Sequence, residues 1–246
     1  MKADFRSLHV KRTEFINDKT VWVELDQSID AQPGQFVMAW LPEVGEKPFS
    51  IAGLVPLSLM VVDVGPFSHA LHQLKPGDTL WIKGPLGHGY CLSGDSAILV
   101  GGGYGAAPLW PLAKAARSKG MNVRVCLGAR TKAELLLVDS FTGIGSEVLP
   151  ATEDGSAGEH GLVTKVVEKV IRESGGDGLY ACGPSGMLSA LAGLAKSHQM
   201  PYQLSWEAHM RCGMGLCGSC EVPQSCDPSL PPGWLACFDG PVFRSD

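Results

Sequence analysis

Ala97-Ile98-Leu99-Val100-Gly101-Gly102-Gly103-Tyr104-Gly105-Ala106-Ala107-Pro108 is the stretch on which the fold turns. Four apolar residues read as a short buried strand, and they run through a glycine turn directly into a helix. Glycines at such a junction let a pyrophosphate approach the backbone and settle at a helix N-terminus, where the dipole favours an anion. Pro108 fits early in that helix, because its missing N–H would have no partner there anyway. A glycine run alone is only a tight turn. Strand, turn and helix together make Gly102, Gly103, Tyr104 and Gly105 candidate nucleotide contacts.

Downstream, strands alternate with helices, as in a parallel α/β sheet. A helix is expected from about Ala107 to Lys119, ended by Gly120, then a strand over Val123–Leu127. Leu162, Val163, Val166, Val167, Val170 and Ile171 form a helical stripe, followed by a strand at Leu179–Cys182 and a helix over Ser185–His198. A second turn, Cys182-Gly183-Pro184, is placed to reach the other end of the same nucleotide; its plainer reading is a capped helix start. Arg130, Thr131 and Lys132 follow a strand, where they offer charge to a 2′-phosphate, and the residues leave NAD and NADP both open.

Upstream, to about residue 92, short strands separated by turns predict an antiparallel barrel. They are Val10–Ile16, Val21–Leu25, Gln35–Leu41, Phe49–Ala52, Ser58–Val64 and Thr79–Lys83, with turns at Pro33-Gly34 and Pro76-Gly77. From Glu207 onward, regular periodicity stops and cysteine, glycine and proline dominate. The division expected is 1–93, 94–206 and 207–246.

Cys212-x4-Cys217-x2-Cys220 has the spacing of a plant-type [2Fe–2S] loop. Gly213, Gly215 and Gly218 remove side chains that would keep the backbone from folding around inorganic sulfide. A structural zinc site is the alternative, although zinc knuckles come as paired C-x2-C and only one is present. Spacing leaves Cys226 and Cys237 both open as the fourth ligand. Cys91, Cys126 and Cys182 read as small buried apolar residues.

The rest of the composition narrows the class. A net charge of −5 over 246 residues gives no electrostatic footprint for nucleic acid. The first residues carry no apolar core of a secretory signal, and no stretch reaches membrane-span length, so a cytoplasmic protein with reduced thiols is expected. A nicotinamide delivers two electrons as a hydride, whereas an iron–sulfur cluster takes one, so a flavin is needed between them. The barrel is left to hold it. Lys47, Pro48, Phe49 and Ser50 offer a cation, an aromatic face and a hydroxyl; Gly65, Pro66, Phe67 and Ser68 offer a backbone turn with another hydroxyl. His69, His72 and His88 read as rim residues, and no dedicated acid–base residue is evident.

The order of these modules, with Cys182-Gly183-Pro184-Ser185-Gly186-Met187 and the closing Cys237-Phe238-Asp239-Gly240-Pro241-Val242-Phe243, resembles the ferredoxin–NADP reductase superfamily. Within it the whole chain looks like the electron-transfer subunits of dihydroorotate dehydrogenase B. The resemblance implies Cys237 as the fourth cluster ligand and FAD contacts at Lys47–Ser50, where lysine replaces the family's usual arginine. It also implies FAD contacts at Gly65–Ser68, which departs from the family's G-x-G-T turn. It implies FAD, a [2Fe–2S] cluster and NAD(H) as co-substrate, and an FMN-containing catalytic partner in a heterotetramer of two each. Electrons would run from FMN through the cluster and FAD to NAD+ in pyrimidine biosynthesis. Rival expectations are the flavin subunit of a sulfide dehydrogenase, an NADH–ferredoxin transhydrogenase or a hydrogenase diaphorase, and, of another class, a non-catalytic zinc-stabilised nucleotide-binding protein.

Overall fold

The structure, a computed structural model, describes residues 4–245. Its first half contains β1 (Phe5–Asn17), β2 (Thr20–Leu25), β3 (Phe36–Leu41), β4 (Gly45–Ser50), β5 (Gly53–Leu54), β6 (Leu57–Val62), a short α1 (Pro66–His72) and β7 (Thr79–Leu86). These strands form one antiparallel sheet in the order β4-β3-β7-β1-β2-β6-β5, curled so that β4 packs against β6. β1 makes the curl possible. Its first residues pair with β7 and its later ones with β2, with a register shift after Val10 that bends the strand. Leu8, Val10, Val21, Val23, Val37, Leu59, Leu80 and Ile82 fill the interior, following the period-two alternation of strands.

The second half contains β8 (Ser96–Gly102), α2 (Ala106–Ser118), β9 (Asn122–Ala129), α3 (Val138–Gly143), β10 (Glu147–Thr152), β11 (Glu159–His160), α4 (Val163–Ser174), β12 (Leu179–Cys182), α5 (Ser185–Ser197), β13 (Tyr202–Ser205) and β14 (Val242–Arg244). The sheet order is β11-β10-β9-β8-β12-β13-β14, parallel throughout except for β14. α2 and Phe141 of α3 pack on one face, and α4 and α5 on the other. β14 comes from beyond the cysteines and pairs with β13, so the cysteine-rich segment joins the sheet of the second half. Among the described residues, no helix is long and apolar enough to cross a membrane.

Several sequence expectations shift. The strand expected at Phe49–Ala52 begins at Gly45 and ends at Ser50, because Pro42–Val44, with Glu43 at φ 66, forms the turn of a β3–β4 hairpin. The turn expected at Gly65–Ser68 is the start of α1, with Pro66 at its first position. Cys126 and Cys182 are buried as expected, but Cys91 is exposed.

Candidate functional site

A cleft of about 890 Å³ opens between the two halves, at the carboxyl ends of the parallel strands. The β1–β2 turn and Val62–Val64 form its barrel wall; Gly102, Gly103, Tyr104 and Pro184 line the opposite wall. That volume falls within the range of small-molecule sites. The glycine run becomes the end of β8 plus a single 3₁₀ turn, Gly103–Gly105, which feeds α2. α2 has no acidic residue in its first turn and no side-chain cap, so its N-terminal N–H groups are left for an anion. A Cβ on Gly103 would meet no atom within 4 Å, which leaves an open cradle in front of its backbone.

The two nucleotide turns touch. A Cβ on Gly105 would stand 2.1 Å from the Cys182 carbonyl oxygen, and one on Gly102 would strike Pro184 and the Met187 sulfur. Glycine is required at both positions by this close approach. Burial pushes the Cys182 thiol up to about 12, with the nearby Glu207 charge adding to the effect. Cys182 is thus a neutral thiol packed behind the turn. Tyr104 donates a hydrogen bond to Glu207 at 3.0 Å. Burial, with the Glu207 charge adding to it, lifts the Tyr104 phenol to about 12. Solvent reaches Glu207, yet the surrounding protein desolvates its carboxyl and raises its pKa, opposed by the Tyr104 hydrogen bond. Glu207 does not itself line the cleft but joins the site through Tyr104, and sequence reasoning did not single it out. It lies 103 positions from Tyr104, and no local motif marks it.

At the far end of the cleft lie Arg130 and Thr131, as their position after β9 suggests. Arg130 is already engaged, donating through Nε and Nη2 to the two Glu134 oxygens at 3.2 and 3.0 Å. Glu153, just past β10, lines the same end. Two carboxylates therefore flank the arginine that a 2′-phosphate would need.

On the barrel side, Phe49 of β4 stacks on Phe67 of α1, with ring centroids 6.0 Å apart. The two flavin motifs, distant in sequence, are thus brought together. Lys47 stands exposed, while Pro48 and Ser50 are half-buried. The Ser68 hydroxyl is taken up within its own turn: it accepts from the Val64 and Gly65 amides and donates to the Gly65 carbonyl. Gly65 has open space where a side chain would stand. Pro66 is exposed at the head of α1. Neither Lys47–Ser50 nor Gly65–Ser68 lines the 890 Å³ cleft, although Val64 beside them does.

The cysteines converge. Cys220 and Cys237 sulfurs are 3.2 Å apart, and the Gly215 amide donates to Cys237 at 3.2 Å. Hydrogen bonds from Ser219, then from Cys212, hold the Cys217 thiol down to about 6. Burial, then the bond to Cys220, pushes Cys237 up to about 12. The thiols therefore stand as two neighbouring pairs, Cys212 with Cys217 and Cys220 with Cys237. Among the described residues, no three His, Cys, Asp or Glu side chains converge on one point as a single ion requires. Pairs of thiols suit a cluster of two irons, each taking two. Gly213, Gly215 and Gly218 all have φ between 69° and 78°, the left-handed region that folds the loop back on itself. Cys226 makes no sulfur contact with the four among the described residues.

Comparison with known proteins follows the same lines. Residues 207–246 match the iron-sulfur cluster binding domain of dihydroorotate dehydrogenase B, and residues 99–192 match the oxidoreductase NAD-binding domain. A probable dihydroorotate dehydrogenase B (NAD(+)) electron transfer subunit from Thermococcus kodakarensis is 43% identical over 221 residues, covering 90% of this chain and 88% of its own. Its counterpart from Methanocaldococcus jannaschii is 38% identical over 222 residues, covering 90% and 82%. Among solved structures, a chain of an NADH-dependent reduced ferredoxin-NADP oxidoreductase, described for flavin-based electron bifurcation, superposes with a TM-score of 0.85. It is 34% identical and covers 97% of this chain and 88% of its own. With this identity sustained over nine-tenths of its length, the chain belongs to the family of dihydroorotate dehydrogenase B electron-transfer subunits.

Proposed function

We propose that this chain accepts electrons from an FMN-containing dihydroorotate dehydrogenase subunit and delivers them to NAD+, in a cytoplasmic heterotetramer serving pyrimidine biosynthesis. The observation that carries the reading is the meeting of four thiols, in two pairs, in a chain that also carries a nucleotide cleft. Cys212, Cys217, Cys220 and Cys237 hold a [2Fe–2S] cluster. Lys47–Ser50 and Gly65–Ser68 hold FAD, with Ser68 shaping the turn and the Phe49–Phe67 pair supplying an apolar wall. Bound together, these groups exchange electrons singly on the cluster side and in pairs on the nicotinamide side.

The chain's own residues set the remainder. Gly102–Gly105 and the N-terminus of α2 take the pyrophosphate, and Cys182–Pro184 shapes the nicotinamide end. Glu134 and Glu153 meet the adenosine ribose and favour NAD over NADP, since a 2′-phosphate would face like charge. Residues 1–93, 94–206 and 207–246 serve as FAD, NAD and cluster domains, the last anchored by β14 to the second. Leu216 is 79% exposed and Phe238 59%, with Met214 beside them, an apolar collar around the cysteine loop where the catalytic partner docks.

Anaerobic purification tests the reading. The chain co-expressed with its FMN partner should carry FAD and about two irons and two sulfides, and should reduce dyes with NADH. Stoichiometric zinc without flavin would overturn it. A second reading, an NADH–ferredoxin transhydrogenase subunit, is favoured by the similarity to the bifurcating oxidoreductase. Co-purification of a ferredoxin-linked partner lacking dihydroorotate oxidation would select it.

A further inference from the structure

Beneath the cysteine loop lies a lysine that packing alone does not call for. Ile82 of β7 points into the barrel interior, so its neighbour Lys83 faces outward by strand alternation. An outward lysine is ordinarily solvated, yet the Lys83 side chain is only 6% exposed. The cysteine loop covers it. Gly213 rests on the Met38 side chain of β3, and Lys83 donates toward the Cys212 carbonyl at 3.5 Å. Phe36, Met38 and Leu86 of the same floor share one apolar core with Cys220 and Cys237.

Among the described residues, Lys83 has one carboxylate partner there. Its Nζ lies 2.8 Å from Glu46 Oε1, too oblique for a hydrogen bond, so the contact is one of charge with charge. Nζ also stands 4.9 Å from the centre of the Phe5 ring, a cation–π contact. A methionine in this apolar floor would avoid the desolvation of a buried charge, and replacing a buried ion pair by apolar residues is often neutral or stabilising. The pair thus needs a reason other than stability.

We propose that Lys83 and Glu46 set the reduction potential of the cluster held by Cys212, Cys217, Cys220 and Cys237, with Lys83 favouring the reduced form and Glu46 opposing it. The proposal rests on the cluster reading above. Four thiolates give such a cluster net negative charge, and one-electron reduction adds to it. Net charge and the hydrogen bonds around a cluster are what tune its potential. Lys83 reaches the loop backbone directly, donating toward the Cys212 carbonyl. Losing Lys83 leaves Glu46 unbalanced beneath the loop and makes reduction harder; losing Glu46 leaves Lys83 unbalanced and makes it easier.

The test is an EPR-monitored redox titration of the intact complex, carried out on Lys83→Met, Glu46→Gln and the double variant, with iron and sulfide measured first. K83M should lower the midpoint and E46Q should raise it, each by about a tenfold change in the one-electron equilibrium, which is about 59 mV. The double variant should return toward the wild-type value. If K83M fails to retain iron, the rise in E46Q still carries the test. Midpoints that stay unchanged, or that move in the same direction in both single variants, overturn the proposal and leave the pair a structural support. Absence of a cluster in the wild-type complex overturns the underlying reading instead.

Discussion

Glu134→Gln is the most informative perturbation of the nucleotide cleft. Arg130 and Glu134 are 74% and 38% exposed, so their pair is solvent-screened. At 3.0 Å the Coulomb attraction in water is about 1.4 kcal/mol, and side-chain entropy and salt reduce its net worth to about 0.2–1 kcal/mol. Folding stability should therefore change by less than about 1 kcal/mol. Discrimination should change more. The substitution removes one carboxylate from the path of a 2′-phosphate and frees the Arg130 fork to bind it. With about 0.5–1 kcal/mol from each effect, the gain is about 1–2 kcal/mol for the phosphorylated dinucleotide. A tenfold change corresponds to about 1.4 kcal/mol, so the NADH to NADPH ratio of kcat/KM should fall by about 5- to 30-fold. The assay is steady-state dye reduction with each nucleotide. The gain should shrink as ionic strength rises and fall to about half, in free energy, when Arg130→Ala is added. A ratio that moves less than about twofold, or a gain left undiminished by loss of Arg130, refutes the assignment of this end of the cleft.

Other expectations concern the cysteine segment and its anchors. Cys237→Ser should abolish the cluster's visible absorption and EPR signal while Cys226→Ser keeps both, because Cys237, and not Cys226, contacts Cys220. Asp227, fully buried, accepts from Lys196, Tyr202 and the Ser229 amide. Asp227→Asn should cost about 3 kcal/mol, the lower end for a broken buried pair because Lys196 can rehydrate, and lower Tm by about 6–12 °C by calorimetry. Burial pushes the Asp227 carboxyl up, but the bonds from Lys196, Ser229 and Tyr202 outweigh it and hold the pKa below its ordinary value. That stabilisation is present above the unfolded pKa of about 3.9 and fades as pH falls through the folded value. The Tm gap between wild type and D227N should therefore narrow in acid. Gly105→Ala should abolish NADH binding, measured by fluorescence quenching, since its Cβ collides with the Cys182 carbonyl.

Local chemistry made most of the architecture legible. The glycine run and the C-x4-C-x2-C loop each need their residues at short, fixed spacing, and both lie where that spacing suggests. β10 escaped because Glu147 and Pro150 interrupt its apolar run, and proline argues against a strand. α1 escaped because seven residues are too few for a helical period, and Gly65-Pro66 reads equally well as a turn. Glu153 and Glu207 lie by neighbours that the assembled strand ends bring close, and Glu134 pairs with Arg130 only four residues away, a spacing that marks no nucleotide site by itself. Lys83 looked like an ordinary outward strand residue, because nothing in β7 announces that a loop more than a hundred residues later will cover it.

β14 adds a different consequence. An open parallel sheet exposes a row of unpaired amides and carbonyls at each edge, which invites pairing with other chains. Here β13, with all four residues buried, is shielded on that side by β14. At the opposite edge β11 is only two residues long. A protein that lost its metal, and with it the order of residues 207–246, would uncover the β13 edge together with the apolar floor around Met38 and Leu86. Oxidative damage to the cluster would then do more than silence electron flow: it would turn the subunit into a seed for aggregation.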